Sequence, residues 1–372
     1  MKIDRLELTE IPLRLKFPFR TSFGTFQERR ILILSLSSGG ETGLAECVAG
    51  EFPGYSYATT DTAWQLISDF IAPAVVGKEF ASATELLHEL RFIRGHNMAV
   101  ATVEMAFWDL QARALGVPLF ELLGGSDRAI PVGISLGIQP DIEQTVALSA
   151  DSVEQGYGRV KLKIDPGWDY EPVKAVREAL PDVSLTVDAN SAYTLMEAPQ
   201  LKRLDEFGLD YIEQPLAHDD ILDHASLQAQ IDTPICLDES IHSSEDVRKA
   251  LTIGAGRVIN LKVGRVRGFR ASLAIHDIAR SFGAPVWCGG MLESGVGRAA
   301  NLHLSSLPNF TLPGDTSSGS RYWDQDLINE PLEAVNGVQR IPQHGPGIGV
   351  SLNRDYVERT ASRQAVWGDR NR

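Results

Sequence analysis

The sequence predicts an α/β fold: a (β/α)8-type barrel with an α+β domain before it and a C-terminal segment that returns to that domain. Three observations carry this. Eight short apolar runs alternate with amphipathic stretches from about residue 130 onward. That alternation means parallel strands joined by helical crossovers, and eight units over about 185 residues suit a closed barrel better than an open sheet. A charged residue recurs at nearly constant spacing at the ends of five consecutive runs, and the first 125 residues show a different pattern. The expected divisions are 1–125, 126–322 and 323–372.

Composition narrows the function. The chain has 372 residues, 43% hydrophobic and 23% charged, which is an ordinary globular balance and long enough for a full-sized core. Thirty-five Lys and Arg against forty-nine Asp and Glu give a net charge of −14, which disfavours nucleic acid and anionic membranes as partners. Cys47, Cys236 and Cys288 are odd in number and show no metal-ligand spacing, so reduced thiols in a cytoplasmic protein are expected. The N-terminus has no unbroken apolar stretch of signal-peptide type, and no segment approaches ~20 uncharged apolar residues.

Along the first domain, the alternating runs 3–8 and 31–36 read as strands, broken at Gly39-Gly40. Stretches 62–77 and 83–94 have helical spacing. Residues 100–115 form a stronger helix, with Val103, Ala106, Phe107 and Leu110 on one stripe and Gly116-Val117-Pro118 as its stop. Gly124-Gly125-Ser126-Asp127 marks a boundary. The eight barrel runs follow at 132–136, 160–164, 185–187, 211–213, 235–237, 258–261, 286–288 and 310–312. The last ~50 residues hold no clear barrel unit and are too short for an independent domain.

Chemistry in a barrel sits at the C-terminal ends of its strands. Runs two to six end in Lys161-Leu162-Lys163, Asp188-Ala189-Asn190, Glu213-Gln214-Pro215, Asp238-Glu239-Ser240 and Asn260-Leu261-Lys262. From 163 to 188, to 213 and to 238 each step is 25 residues, and from 238 to 262 it is 24. Any one Asp at a strand end is an ordinary helix cap, but five charged residues in phase are not explained by capping. Asp188, Glu213 and Asp238 on adjacent strands would repel one another unless a divalent cation neutralised them. An all-oxygen set without His or Cys favours Mg2+. Strands two and six lie four apart of eight, so Lys163 and Lys262 are expected to face each other across the cavity. A carboxylate substrate on the metal has an acidified α-proton, and a lysine with a lowered pKa can remove it through an enediolate.

This order of motifs resembles the enolase superfamily in its muconate lactonizing subgroup. More narrowly, Lys161-Leu162-Lys163-Ile164-Asp165-Pro166-Gly167-Trp168, Val187-Asp188-Ala189-Asn190-Ser191-Ala192-Tyr193-Thr194, Trp287-Cys288-Gly289-Gly290-Met291-Leu292-Glu293-Ser294-Gly295 and Leu312-Pro313-Gly314-Asp315-Thr316-Ser317 are similar to the o-succinylbenzoate synthase/N-acylamino acid racemase family. The resemblance implies Asp188, Glu213 and Asp238 as Mg2+ ligands, with Mn2+ as a substitute, Lys163 as base on one face and Lys262 as its partner on the other. Lys161 and Asn190 would support the substrate carboxylate and the metal shell, with Glu239 beside them. The N-terminal domain would cap the barrel mouth. Phe19 and Phe23 would lie on a mobile loop over the substrate, Tyr55 on a second loop, and Ser135 and Met291 on the pocket wall. Arg265, three residues past Lys262, either lowers that lysine's pKa by repulsion or is simply solvated.

The implied activity is dehydration to o-succinylbenzoate in menaquinone biosynthesis, racemisation of N-succinyl or other N-acylamino acids, or both. The implied substrate is a small carboxylate with a succinyl or N-acyl arm, and the implied assembly is a homo-octamer or homodimer. Dipeptide epimerisation and cycloisomerisation are the enzymatic alternatives. The first usually needs an Asp-x-Asp pair on strand eight, whereas here Asp315 is followed by Ser317. A non-catalytic barrel is disfavoured by the intact lysines and carboxylates. No Walker loop, HExxH or GxSxG motif occurs.

Overall fold

The computed structural model describes residues 1–368. The expected C-terminal segment, 323–372, therefore has its last four residues outside the described part.

The chain opens with three antiparallel strands, β1 (Arg5–Thr21), β2 (Gly24–Ser38) and β3 (Glu41–Cys47). Leu6 and Leu8 are buried on one face of β1, and Ile11 and Leu13 on the other. The 19-residue helix Asn97–Leu115 packs on β3 and β2 and ends at Gly116, whose φ of 70° suits a left-handed cap. The contact is close enough that a Cβ on Gly43 of β3 would stand 2.1 Å from the carbonyl oxygen of Ala106.

The barrel strands are β5 (Ile134–Leu136), β6 (Val160–Lys163), β7 (Leu185–Asp188), β8 (Ile212–Glu213), β9 (Ile235–Leu237), β10 (Val258–Leu261) and β11 (Val286–Cys288). Before them comes β4 (Ala129–Pro131), which pairs with β12 (Val338–Arg340). The seven strands β5 to β11 pair in sequence order, all parallel. The expected eighth strand at 310–312 is not a regular strand. The ring closes there through isolated parallel bridges, Val286 with Phe310 and Val132 with Gly314. The N–H groups of Phe310 and Thr311 turn back to the carbonyls of Leu307 and Asn309, and Pro313 has no N–H to give, so no continuous ladder forms.

The C-terminal segment returns to the first sheet. Its final strand, β13 (Arg363–Gly368), pairs antiparallel with β1, from Arg5 opposite Gly368 to Glu10 opposite Arg363. Two buried carboxylates from the first unit also cap barrel helices. Glu104 accepts the backbone N–H groups of Phe269 and Arg270, each at 2.8 Å, at the start of helix Phe269–Ser281. Glu46 accepts from Ser294 Oγ at 2.6 Å and Gly297 N at 3.0 Å at the start of helix Gly295–Leu304. Helix N-termini favour anionic groups, so these contacts fix how the first unit sits on the barrel. One continuous hydrophobic core spans both units, and the three cysteines are buried and free.

Candidate active site

The strand exits converge as an ion-paired network. Register aligns Lys163 with Asp188 and Asp188 with Glu213 across β6, β7 and β8. Lys161 points into the barrel, 2% exposed, with its Nζ 2.7 Å from Glu213, 3.0 Å from Asp315 and 3.4 Å from Asp188. The Nζ also lies 4.5 Å from the centre of the Trp287 ring. Lys163 Nζ donates to Asp188 at 2.5 Å and to Asn190 Oδ1 at 2.6 Å. Lys262 Nζ donates to Asp238 at 2.8 Å and sits 4.4 Å over the Tyr55 ring. A Cβ on Gly289 would stand 2.6 Å from Lys262 Cε, so glycine there leaves room for the lysine stem.

Arg265 is buried rather than solvated. It pairs with Asp238, donates to the Tyr55 hydroxyl at 3.0 Å and donates to the carbonyls of Ile241 and Asn260. Tyr55 itself donates to Asp238 Oδ1 at 2.9 Å, which brings the second loop onto the barrel. Asn190 has φ = 43°, a left-handed conformation that asparagine tolerates, and its backbone N–H holds Asp188 at 3.0 Å. Its side chain donates to Glu239 Oε1 at 2.9 Å, while Glu239 Oε2 is buried without a partner.

The charges are strongly coupled. Burial works against ionisation of Asp188, but Lys163 and Lys161 outweigh it and lower its pKa to about 2. Burial and the Asp188 charge raise Glu213. Burial and Asp188 likewise raise Glu239 to about 7. The lowered lysine pKa expected from a neighbouring cation is not what these contacts produce. Burial presses Lys262 down, yet the Tyr55 oxygen, Glu239, Glu213 and Asp188 outweigh it and raise its pKa.

The oxygens of Asp188, Glu213 and Asp238 are engaged by Lys163, Lys161, Lys262 and Arg265, rather than gathered around a common point as the sequence spacing suggested. Among the described residues no three His, Cys, Asp or Glu side chains form a ready ion site. The donor set nevertheless fits a hard divalent cation. It is all oxygen, it comes from adjacent strands, its members repel one another, and it leaves one buried Glu239 oxygen unpaired.

Above the network lies an open cavity, ≈ 650 Å3 with the solvent space at its mouth included, that reaches Lys163, Lys262 and Asn190 and has Phe19, Phe23, Tyr55 and Met291 on its walls. A contiguous polar recess of ≈ 440 Å3 adds Ser135, Lys161, Asp188 and Asp315. Phe19 and Phe23 belong to the tip of the β1–β2 hairpin. That tip is docked on the barrel mouth, since Ile138 N donates to the Arg20 carbonyl at 3.0 Å and Ser22 Oγ donates to the Asn190 carbonyl at 3.3 Å. The sequence reading missed Asp315 as a member of the network. It pairs with Arg159 at 2.7 Å and with Lys161, and these cations hold its carboxyl well below the usual range. Only its position at the expected exit of strand eight signalled it.

Residues 5–124 match the family described as mandelate racemase/muconate lactonizing enzyme, N-terminal domain, and residues 144–356 match the one described as enolase C-terminal domain-like. An N-succinylamino acid racemase of Thermus thermophilus is 53% identical over 359 residues, covering 96% of this chain and 97% of that protein. An o-succinylbenzoate synthase of Geobacillus kaustophilus is 49% identical over 360 residues and covers 96% of each. The crystal structure of an enolase-superfamily member from Listeria innocua has a TM-score of 0.95 at 37% identity, covering 98% of this chain and 99% of that one. The chain belongs to the mandelate racemase/muconate lactonizing enzyme family of the enolase superfamily, and it is an enzyme.

Proposed function

We propose that the enzyme abstracts the proton α to a substrate carboxylate, acting as an o-succinylbenzoate synthase, an N-succinylamino acid racemase, or both. The observation that carries this is the pair Lys163 and Lys262, from β6 and the exit of β10, lining one cavity. Strands four places apart in a barrel present their ends from opposite sides, so each amine can serve one face of the α-carbon.

Asp188, Glu213 and Asp238 would hold a Mg2+ ion, whose charge makes the α-proton of a bound carboxylate acidic. Lys163 Nζ takes that proton on one face, and Asn190 Oδ1 at 2.6 Å orients the amine. In racemisation Lys262 Nζ returns a proton to the other face. In dehydration it stays protonated and stabilises the negative charge that develops. Lys161 balances Glu213 and Asp315 beneath the substrate. Residues 1–125 together with 323–368 act as a cap over the 126–322 barrel, and Phe19 and Phe23 at the hairpin tip keep water from the reacting carbon. Dipeptide epimerisation is disfavoured because Arg159 and Lys161 already occupy Asp315, leaving no free acidic pair for an α-ammonium group.

The test uses the cyclohexadiene precursor and an N-succinylamino acid, with Mg2+ present. Dehydration is followed by loss of absorbance and racemisation by α-deuterium uptake in D2O. Lys163→Ala should lower both by roughly 10^2- to 10^4-fold, the usual contribution of a positioned base. EDTA should abolish both and Mg2+ should restore them. Exchange that persists in the folded Lys163→Ala variant would remove Lys163 from the mechanism.

A further inference from the structure

The cavity above the catalytic lysines contains a cation that none of the chemistry so far uses. Arg29, on β2, lines this cavity and is only 6% exposed. Its Nε and Nη2 are buried with no hydrogen-bond partner, and it forms no salt bridge among the described residues. Two other arginines of the same hairpin are provided for. Arg14 pairs with Glu28, and Arg30 pairs with Glu51 at 2.8 Å and Asp61 at 2.9 Å. A buried guanidinium without an acceptor is costly, and its planar fork matches a carboxylate.

The surroundings narrow the anion. Phe23, Phe26 and Phe52 form a connected aromatic wall, with Phe26 and Phe52 stacked at 5.3 Å. All three line the cavity with Arg29, while Lys163 and Lys262 line its floor. A lining that combines Arg29, this aromatic wall and the two lysines suits a ligand with two carboxylates joined by methylenes.

The geometry points to Arg29 as the anchor for a second, distal carboxylate on the substrate's acyl arm, the feature that separates a succinyl arm from a neutral one. This rests on the proposed α-proton chemistry for the identity of the substrate, but the binding claim is separable from the reaction.

The experiment measures binding of N-succinyl- and N-butanoyl-phenylalanine by calorimetry with Mg2+ present, in the wild type, Arg29→Gln and Arg29→Lys, and measures α-deuterium exchange alongside. The wild type should prefer the succinyl ligand. Arg29→Gln should lose roughly 10- to 100-fold of succinyl affinity with butanoyl affinity unchanged, as expected for a charge-assisted contact. Arg29→Lys should recover part of that loss. Exchange should show the same selectivity in KM. An equal fall for both ligands would make Arg29 merely structural, and a wild type without succinyl preference would overturn the assignment. If preference depends on Arg29 while no exchange occurs, the anchor stands and the proposed reaction falls.

Discussion

Lys161→Met is the sharpest probe of the buried network. The amine holds three carboxylates, at 2.7 Å from Glu213, 3.0 Å from Asp315 and 3.4 Å from Asp188. Two of them keep another cation after the change. Asp315 retains Arg159 at 2.7 Å, and Asp188 retains Lys163 at 2.5 Å. Glu213 keeps only the neutral Asn260 side chain at 2.6 Å. Methionine preserves the stem and its contact with Trp287, so the charge is the main loss. Breaking one fully buried pair costs about 3–5 kcal/mol. Glu213 can escape that cost by binding a proton, because burial and Asp188 already raise its pKa. A raised carboxyl pKa contributes stability at low pH that is lost as pH rises through it. Removing Lys161 raises this pKa further. The penalty should therefore be about 1–2 kcal/mol at pH 5 and grow to about 3–5 kcal/mol at pH 8. Urea unfolding in EDTA at the two pH values measures it. A penalty below about 1 kcal/mol at pH 8, or one equal at both pH values, would refute the reasoning.

Two further predictions concern how the first unit meets the barrel. Burial raises the pKa of Glu104 to about 7, so ionising it costs stability between pH 4.5 and 7. Glu104→Gln removes that cost. Relative to the wild type it should gain about 2.5 kcal/mol from pH 5 to pH 8, even if it is destabilised at both, and a difference in urea midpoints that does not vary with pH would count against this. At the barrel mouth, a Cβ on Gly137 would stand 2.9 Å from the Arg20 carbonyl oxygen. Gly137→Val should lift the hairpin tip and raise KM roughly tenfold with little change in melting temperature, whereas an unchanged KM would show that the tip does not cover the substrate.

Much of the site was readable before any fold was known. A charged residue recurs at nearly constant spacing at the exits of five consecutive runs, so Lys163, Asp188, Glu213, Asp238 and Lys262 stood out as candidates by phase. The lysine–carboxylate pairing did not, because it depends on side-chain reach between strands. Lys161 has the same motif as Lys163 two residues away, yet it points to Glu213 and Asp315 inside the barrel. The eighth strand misled for a local reason: apolar residues at 310–312 fit a strand, but the N–H groups of Phe310 and Thr311 turn back on the chain and leave only isolated bridges.

Local periodicity and spacing carried the barrel class and the five charged exits, and the return of the C-terminal segment was expected from its being too short to fold alone. Only the tertiary structure decided which cation meets which carboxylate, that Arg265 is buried against Asp238, and that Tyr55 reaches Asp238 from 183 residues away. It also left Arg29 unpaired among the described residues, over the cavity, while its neighbour Arg30 was satisfied. In the sequence these arginines are indistinguishable. Adjacent residues of a strand face opposite sides of the sheet, and what each side chain meets is set by parts of the chain far away along it.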